Sequence, residues 1–212
     1  MTGVVARPAP YRIATERLVI RCWDPRDAPL LKDAVDSSLD HLRRWMPWAH
    51  EEPRPLDEKV ELLRVFRGRF DLGEEFVYGI FTPEEREVVG GSGLHARIGS
   101  SGFEIGYWIR ASRTRRGLAA EASAALTRVA FDVCGVEKLE IHVDPENVAS
   151  CGVPRKLGYV EEGTLRRRLP PLRPRAPRRD ELVFALLREE YEASSLATFP
   201  LEAFDAAGAR VL

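Results

Sequence analysis

The segment with the clearest chemical potential is Arg113-Thr114-Arg115-Arg116-Gly117-Leu118-Ala119, which sits between a β-rich run and a helical run. The first amides of a helix have no intrahelical acceptor, and the helix dipole adds positive potential there, so such a turn suits a diphosphate. Gly117 permits close approach of the main chain to that anion. An ordinary strand-to-helix turn with solvated arginines is the competing reading of the same residues. The other reactive residue types form no recognisable set. Cys22, Cys134 and Cys151 make no CxxC pair, so reduced thiols are expected rather than a disulfide framework or a zinc site. His41, His50, His95 and His142 are far apart and include no HExxH pair, so no metal is expected. A second arginine-rich stretch, 166–179, holds seven arginines and four prolines. It lacks any apolar period and reads as a loop.

The elements that must position these residues follow from periodicity. Arg17 to Trp23 reads as a strand closed by Asp24-Pro25. Residues 27–45 carry apolar positions at helical spacing with a break at Ser37-Ser38, and Leu56 to Phe70 is a second helical segment. Phe76–Phe81, Val88–Leu94 and Phe103–Ile109 read as successive antiparallel strands. Leu118 to Val133 is a long helix ending at Gly135, and Lys138–Val143 returns to strand. Val148–Leu157 is a short helix if Pro154 falls in its first turn. Tyr159–Arg168 and Glu181–Leu187 close the sheet, and the last twenty residues form either a docking tail or a frayed end. The expected organisation is a lead over residues 1–14, a catalytic domain over 15–191 and a tail over 192–212.

Composition bounds the rest. With 212 residues and 44% hydrophobic content, one sizeable core is affordable. The 32 basic and 33 acidic side chains leave a formal charge of −1, so no global field draws the chain to nucleic acid or an anionic membrane. No run is long and apolar enough to span a bilayer and no secretion signal opens the chain. A cytoplasmic location is expected.

Three stretches, I-G-Y-W-I at 105–109, R-R-G-L-A-A-E-A at 115–122 and N-V-A-S-x-x-V-x-x-K-L-G-Y at 147–159, resemble the GNAT acyl-CoA-dependent N-acyltransferases in order and spacing. Thr15-Glu16-Arg17-Leu18 and Leu42 to Trp48 are similar to the branch that acetylates ribosomal-protein N-termini. The likeness covers roughly Thr15 to Tyr191. It implies an α/β (α+β) fold with a mixed, mostly antiparallel sheet, flanked by helices and splayed open where acyl-CoA enters.

By this resemblance the diphosphate loop falls on Thr114 to Ala119, with contacts from the amides of Arg115, Arg116, Gly117, Leu118, Ala119 and Ala120. Thr114 departs from the usual Gln or Arg, and Arg113 or Arg115 would restore the charge. Asn147 falls on the residue that binds the pantetheine arm, its other reading being a helix N-cap. Glu104 is the candidate base, and a solvent-facing Glu on an alternating strand is the competing reading. Gly106 would let that strand bulge, and the amide of Trp108 or Ile109 would polarise the thioester carbonyl. The general acid, often a Tyr seven residues past the Asn, is here Pro154, so Ser150 or water must serve the leaving thiolate. A Cys151 relay is not expected.

The co-substrate implied is acetyl-CoA, or another acyl-CoA such as succinyl-CoA, and the acceptor is a primary amine on a protein N-terminus or a small molecule, by direct attack. The acceptor would enter between the first helical region and the arginine-rich insert, with Trp45, Trp48 and Arg168 as its candidate contacts. Trp45 and Trp48 serve a core or a homodimer contact equally well. The insert suits an acidic peptide or succinyl group, or is simply solvated. Two other classes stay open: an RNA-associated module, against which the lack of interleaved aromatics counts, and an acyl-CoA-binding regulator without catalysis.

Overall fold

The computed structural model describes residues 8–99, 101–173 and 175–212. Nine strands form one sheet: β1 (Arg12–Ala14), β2 (Val19–Cys22), β3 (Phe76–Phe81), β4 (Val88–His95), β5 (Gly102–Ile109), β6 (Lys138–Val143), β7 (Val160–Leu169), β8 (Arg179–Leu187) and β9 (Glu202–Phe204). Their order is β7-β8-β6-β5-β4-β3-β2-β1-β9. Every neighbouring pair is antiparallel except β5 with β6.

Helices cover both faces. Strand alternation sends Phe103, Ile105 and Ile109 into a core beneath α4 (Leu118–Asp132) and α5 (Val148–Lys156). Trp108 faces the other way, toward a second cluster built on α1 (Ala28–Asp36), α2 (Leu39–Leu42) and Leu63 of α3 (Leu56–Asp71). The break between α1 and α2 falls at Ser37 and Ser38, where the sequence placed it. A short α6 (Arg188–Glu192) follows β8.

Several expectations change. The sheet begins at Arg12, ahead of the first strand expected over Arg17 to Trp23. The last twenty residues are docked, because β9 pairs with β1. The arginine-rich stretch is not loop throughout, since Arg166 to Leu169 continue β7 and Arg179 opens β8. Positive φ at Arg167 accompanies a register shift there, which let a strand persist without apolar alternation. Gly106 makes no bulge, because β4 and β5 keep one register from Gly90–Ile109 to His95–Glu104. Glycines on these strands instead admit side chains. A Cβ on Gly91 would meet the Trp108 indole nitrogen at 2.5 Å, and one on Gly93 would meet His95 Nε2 at 2.7 Å.

At the start of α3, Lys59 pairs with Glu52 in nearly dry surroundings, the two side chains being 1% and 4% exposed. Lys59→Met strands a buried carboxylate, and about 3–5 kcal/mol of stability should be lost. Urea unfolding of the variant, compared with the Lys59→Met/Glu52→Gln double variant that removes the stranded charge, checks this value.

Candidate active site

The parallel pair is short. β5 and β6 stay in register only from Gly102–Lys138 to Glu104–Glu140, then part. α4 follows β5 and α5 follows β6, so both helix N-termini open onto the gap. A cavity of about 650 Å³ runs through it, with Gly106, Tyr107 and Trp108 on one side and Asp144, Asn147 and Ser150 on the other.

On the β5 side the turn into α4 has the expected anion geometry. Arg115 and Gly117 both have positive φ, 60° and 78°, which turns successive amides the same way. The first intrahelical bond runs from Glu121 N–H to Gly117 O, so the amides of Leu118, Ala119 and Ala120 precede it and have no helical acceptor. Glu121 would oppose an anion, but it is neutralised. Thr15 Oγ1 donates to it at 2.6 Å and Arg17 Nε at 2.6 Å. Arg17 also donates to the Arg116 carbonyl at 3.0 Å. The Thr15-Glu16-Arg17-Leu18 segment thus clamps the loop from outside. Thr114 Oγ1 closes the preceding turn on the Ala111 carbonyl. Arg113 is committed to Glu87, so of the two candidates for restoring charge, Arg115 remains. Arg115 and Arg116 are exposed and form no ion pair among the described residues.

On the β6 side Asn147 is the N-cap of α5, its Oδ1 accepting from Ser150 N–H at 3.2 Å. Capping uses only the carbonyl half, which leaves the Nδ2 donors for a ligand in the cavity. Pro154 lies at the seventh position of α5, beyond the first turn. Lacking an N–H, it orphans the Ser150 carbonyl four residues back. Tyr107 supplies the missing donor: its hydroxyl reaches Ser150 O at 3.1 Å and Ser150 Oγ at 3.0 Å. Burial pushes the Tyr107 phenol up to about 12, so it remains a neutral donor at working pH. Tyr107→Phe should leave that carbonyl unpaired, costing about 1–3 kcal/mol. A lower urea midpoint checks the cost, and a fall in kcat without a change in KM would show that Ser150 had lost its partner during turnover.

The amides of β5 alternate between β4 and the gap. Arg110 N–H donates to Val89 O at 2.9 Å, so with the shared register the Trp108 amide is also spent on β4 and that of Ile109 faces the opening. Ile109 is therefore the better of the two expected carbonyl donors.

Glu104 points to the α1–α3 face, where a transverse polar row crosses the sheet. Its carboxylate makes no hydrogen bond among the described residues. Arg97 stands 3.6 Å away and His142 Nδ1 4.0 Å away. His142 is further surrounded by Glu140 at 2.7 Å and Glu181 at 3.4 Å. At the other end His95 Nδ1 meets Glu75 at 2.8 Å. Burial alone would raise the Glu75 carboxyl, but His95, Arg69 and Arg97 bring it below its ordinary value. His95, Glu75, Tyr107, His142 and Glu181 were not singled out from the sequence. The one available signal was Gly90-Gly91-Ser92-Gly93 before Leu94-His95, since glycines inside a strand mark a place where something else needs room.

Trp45 and Trp48 both line the cavity, and Trp48 packs edge-on to Trp108 at 6.0 Å. Arg168 is not part of its wall: the side chain is 70% exposed and 3.9 Å from Glu181 at the rim. Two of the insert's seven arginines are spent within the chain. Arg178 donates to the carbonyls of Arg167 and Arg168, both at 2.7 Å, and Arg179 pairs with Asp144. Cys151 is buried and desolvation raises its thiol, which does not suit an acyl relay. Among the described residues no cluster of potential metal ligands occurs and no helix is long and apolar enough to cross a membrane.

A sheet that parts between its single parallel pair, with the N-terminus of α5 on the cavity there and the turn into α4 following the other strand of the pair, is the arrangement of an acyl-CoA-dependent N-acyltransferase. Residues 17–160 match the acetyltransferase (GNAT) domain family, and the chain belongs to that family as a GNAT-type N-acetyltransferase. It is similar to the [ribosomal protein uS5]-alanine N-acetyltransferase of Escherichia coli (strain K12), at 26% identity over 77% of this chain and 85% of that one. Among solved structures, Mycobacterium smegmatis RimJ in complex with CoA-disulfide is 26% identical, with a TM-score of 0.75, over 88% of this chain and 90% of that one. The fold is also shared with a ribosomal L7/L12 alpha-N-protein acetyltransferase in complex with coenzyme A, at a TM-score of 0.74 and 20% identity over 83% of this chain and 97% of that one.

Proposed function

We propose that this N-acetyltransferase moves acetyl from acetyl-CoA to the α-amine of a protein N-terminus, by direct attack in a ternary complex. The observation that carries the acceptor side is the row of carboxylates, Glu75, Glu104 and Glu181, facing one cavity. Such a lining attracts an ammonium group and disfavours an acidic one. The ribosomal substrates named for the similar enzymes agree with a protein N-terminus.

In this reading the amides of Arg115 to Ala120 hold the diphosphate and Asn147 Nδ2 binds the pantetheine arm. The Ile109 amide polarises the thioester carbonyl. Glu104 receives the ammonium and removes a proton, directly or through water, because only the neutral amine has a lone pair for attack. The C–N bond then forms and the C–S bond breaks. Tyr107 donates to the Ser150 carbonyl, so the Ser150 hydroxyl, which at rest donates to the Tyr107 oxygen, turns to donate to the departing thiolate. Trp45 and Trp48 wall the acceptor's approach.

The arginine-rich insert was the reason to weigh succinyl-CoA, and two of its arginines are spent on the hairpin and on Asp144. Mass spectrometry of N-terminal peptides incubated with acetyl-CoA or succinyl-CoA tests the proposal. Acetylated peptide α-amines are expected. Modification only of succinylated products, or only of small free amines, would overturn the donor or the acceptor respectively.

A further inference from the structure

His95 and Glu75 form an oriented imidazole–carboxylate pair at the far end of the acceptor cavity, unused by the mechanism above. We propose that this pair is the second station of a proton relay, taking from Glu104 the proton that Glu104 removes from the amine. The inference rests on the acetyl-transfer reading of the cavity and deepens it.

Three observations support the assignment. First, Glu75 Oε1 lies 2.8 Å from His95 Nδ1, an arrangement that holds the proton on Nδ1 and leaves a lone pair on Nε2. Second, Nε2 has no hydrogen-bond partner among the described residues, and room is kept for it. Gly93 and Gly106 lie against it, and a Cβ on Gly106 would stand 3.3 Å from Nε2. Third, His95 and Glu104 are directly opposed in the β4–β5 ladder, which puts both side chains on one face with their Cβ atoms about 4.5–5.5 Å apart. Arg97 stands over both carboxylates, 3.7 Å from Glu75 and 3.6 Å from Glu104.

Charged groups surround the pair on every side. Glu75 and Arg69 precede β3, Arg97 follows β4, and Glu104 comes from β5. His142 and Glu140 come from β6, Glu181 from β8, and the Glu52–Lys59 pair and Arg54 from the α3 side. The proton balance is complete. One ammonium proton passes to Glu104, then to His95 Nε2, and the imidazolium releases it to water. The lone pair forms the C–N bond, the C–S bond breaks, and the second amine proton neutralises the thiolate by way of Ser150.

The test is the pH dependence of kcat for wild type, His95→Gln, Glu75→Gln and Glu104→Gln with one peptide acceptor, alongside calorimetric acetyl-CoA affinity. In His95→Gln the acid limb should be displaced from that of wild type, with the plateau lowered about ten- to a hundredfold. Glu75→Gln should lower the plateau less, and acetyl-CoA affinity should be unchanged in both. A His95→Gln profile that superimposes on wild type overturns the relay, while a deficit in Glu104→Gln would still support Glu104. Loss in His95→Gln with an unaffected Glu104→Gln would instead remove Glu104 as the first acceptor, and with it the relay as drawn.

Discussion

Gly117→Trp is expected to abolish acyl-CoA binding while leaving the fold intact. Gly117 has φ of 78° at the N-cap of α4, is exposed, and has only Arg17 near its Cβ direction, at 3.6 Å. A side chain there therefore meets no core atom, and the backbone strain is about 1–2 kcal/mol. The indole would occupy the space over the Leu118–Ala120 amides, the place proposed above for the diphosphate. Losing two charge-assisted hydrogen bonds at about 1.5–3 kcal/mol each amounts to roughly a hundredfold or more in affinity. Gly117→Ala separates the two effects, since it carries the strain with little of the bulk and should retain most of the affinity. Calorimetric titration with acetyl-CoA, together with the far-ultraviolet dichroism of each variant, measures both quantities. Unchanged affinity in Gly117→Trp would mean that the diphosphate lies elsewhere.

Glu104→Gln is expected to lower turnover by about 10²–10⁴-fold where the acceptor is an ammonium ion, with the deficit shrinking as pH rises. The sign follows from the substrate. An α-amine has a pKa of about 7.7–8.0, so below that range a base must take its proton before attack, and above it the amine arrives neutral. The wild-type to variant ratio should thus be largest near pH 6 and smallest near pH 9. A ratio constant across that interval would assign Glu104 a binding role rather than a proton-transfer role.

The physical range of each interaction decided how much could be read in advance. Residues 76–143 alternate strand and helix with clear periods, so β3, β5, β6 and α4 fall within a residue or so of their expected limits. β1 and β9 have three residues each, too few to show a period, and exist because they pair with each other and with β2. β7 is an edge strand whose side chains are nearly all exposed; it falls within a residue of the expected Tyr159–Arg168, and only its end, Arg166 to Leu169, was also read as loop because the arginine run carries no alternation.

The same distinction runs through the site. The turn into α4 and the Asn147 cap are local, set by a few consecutive residues, and their geometry was legible. The contacts that distinguish this chain from its family's usual pattern are not local. Tyr107 and Ser150 are 43 residues apart, and Glu75 and His95 are 20 apart. Pro154 showed that a tyrosine acid was missing from α5. Only the parting of β5 from β6 showed that another tyrosine, from β5, meets the same turn of helix. The near-neutral total charge likewise concealed a row of carboxylates assembled from three strands and the segment before β3.

The most direct measurement is release of free thiol from acetyl-CoA, followed with and without an N-terminal peptide. The account predicts release that depends on the peptide, equals the acetylated peptide formed, and disappears in Gly117→Trp. Acetyl-CoA binding with no peptide-dependent thiol release would contradict it.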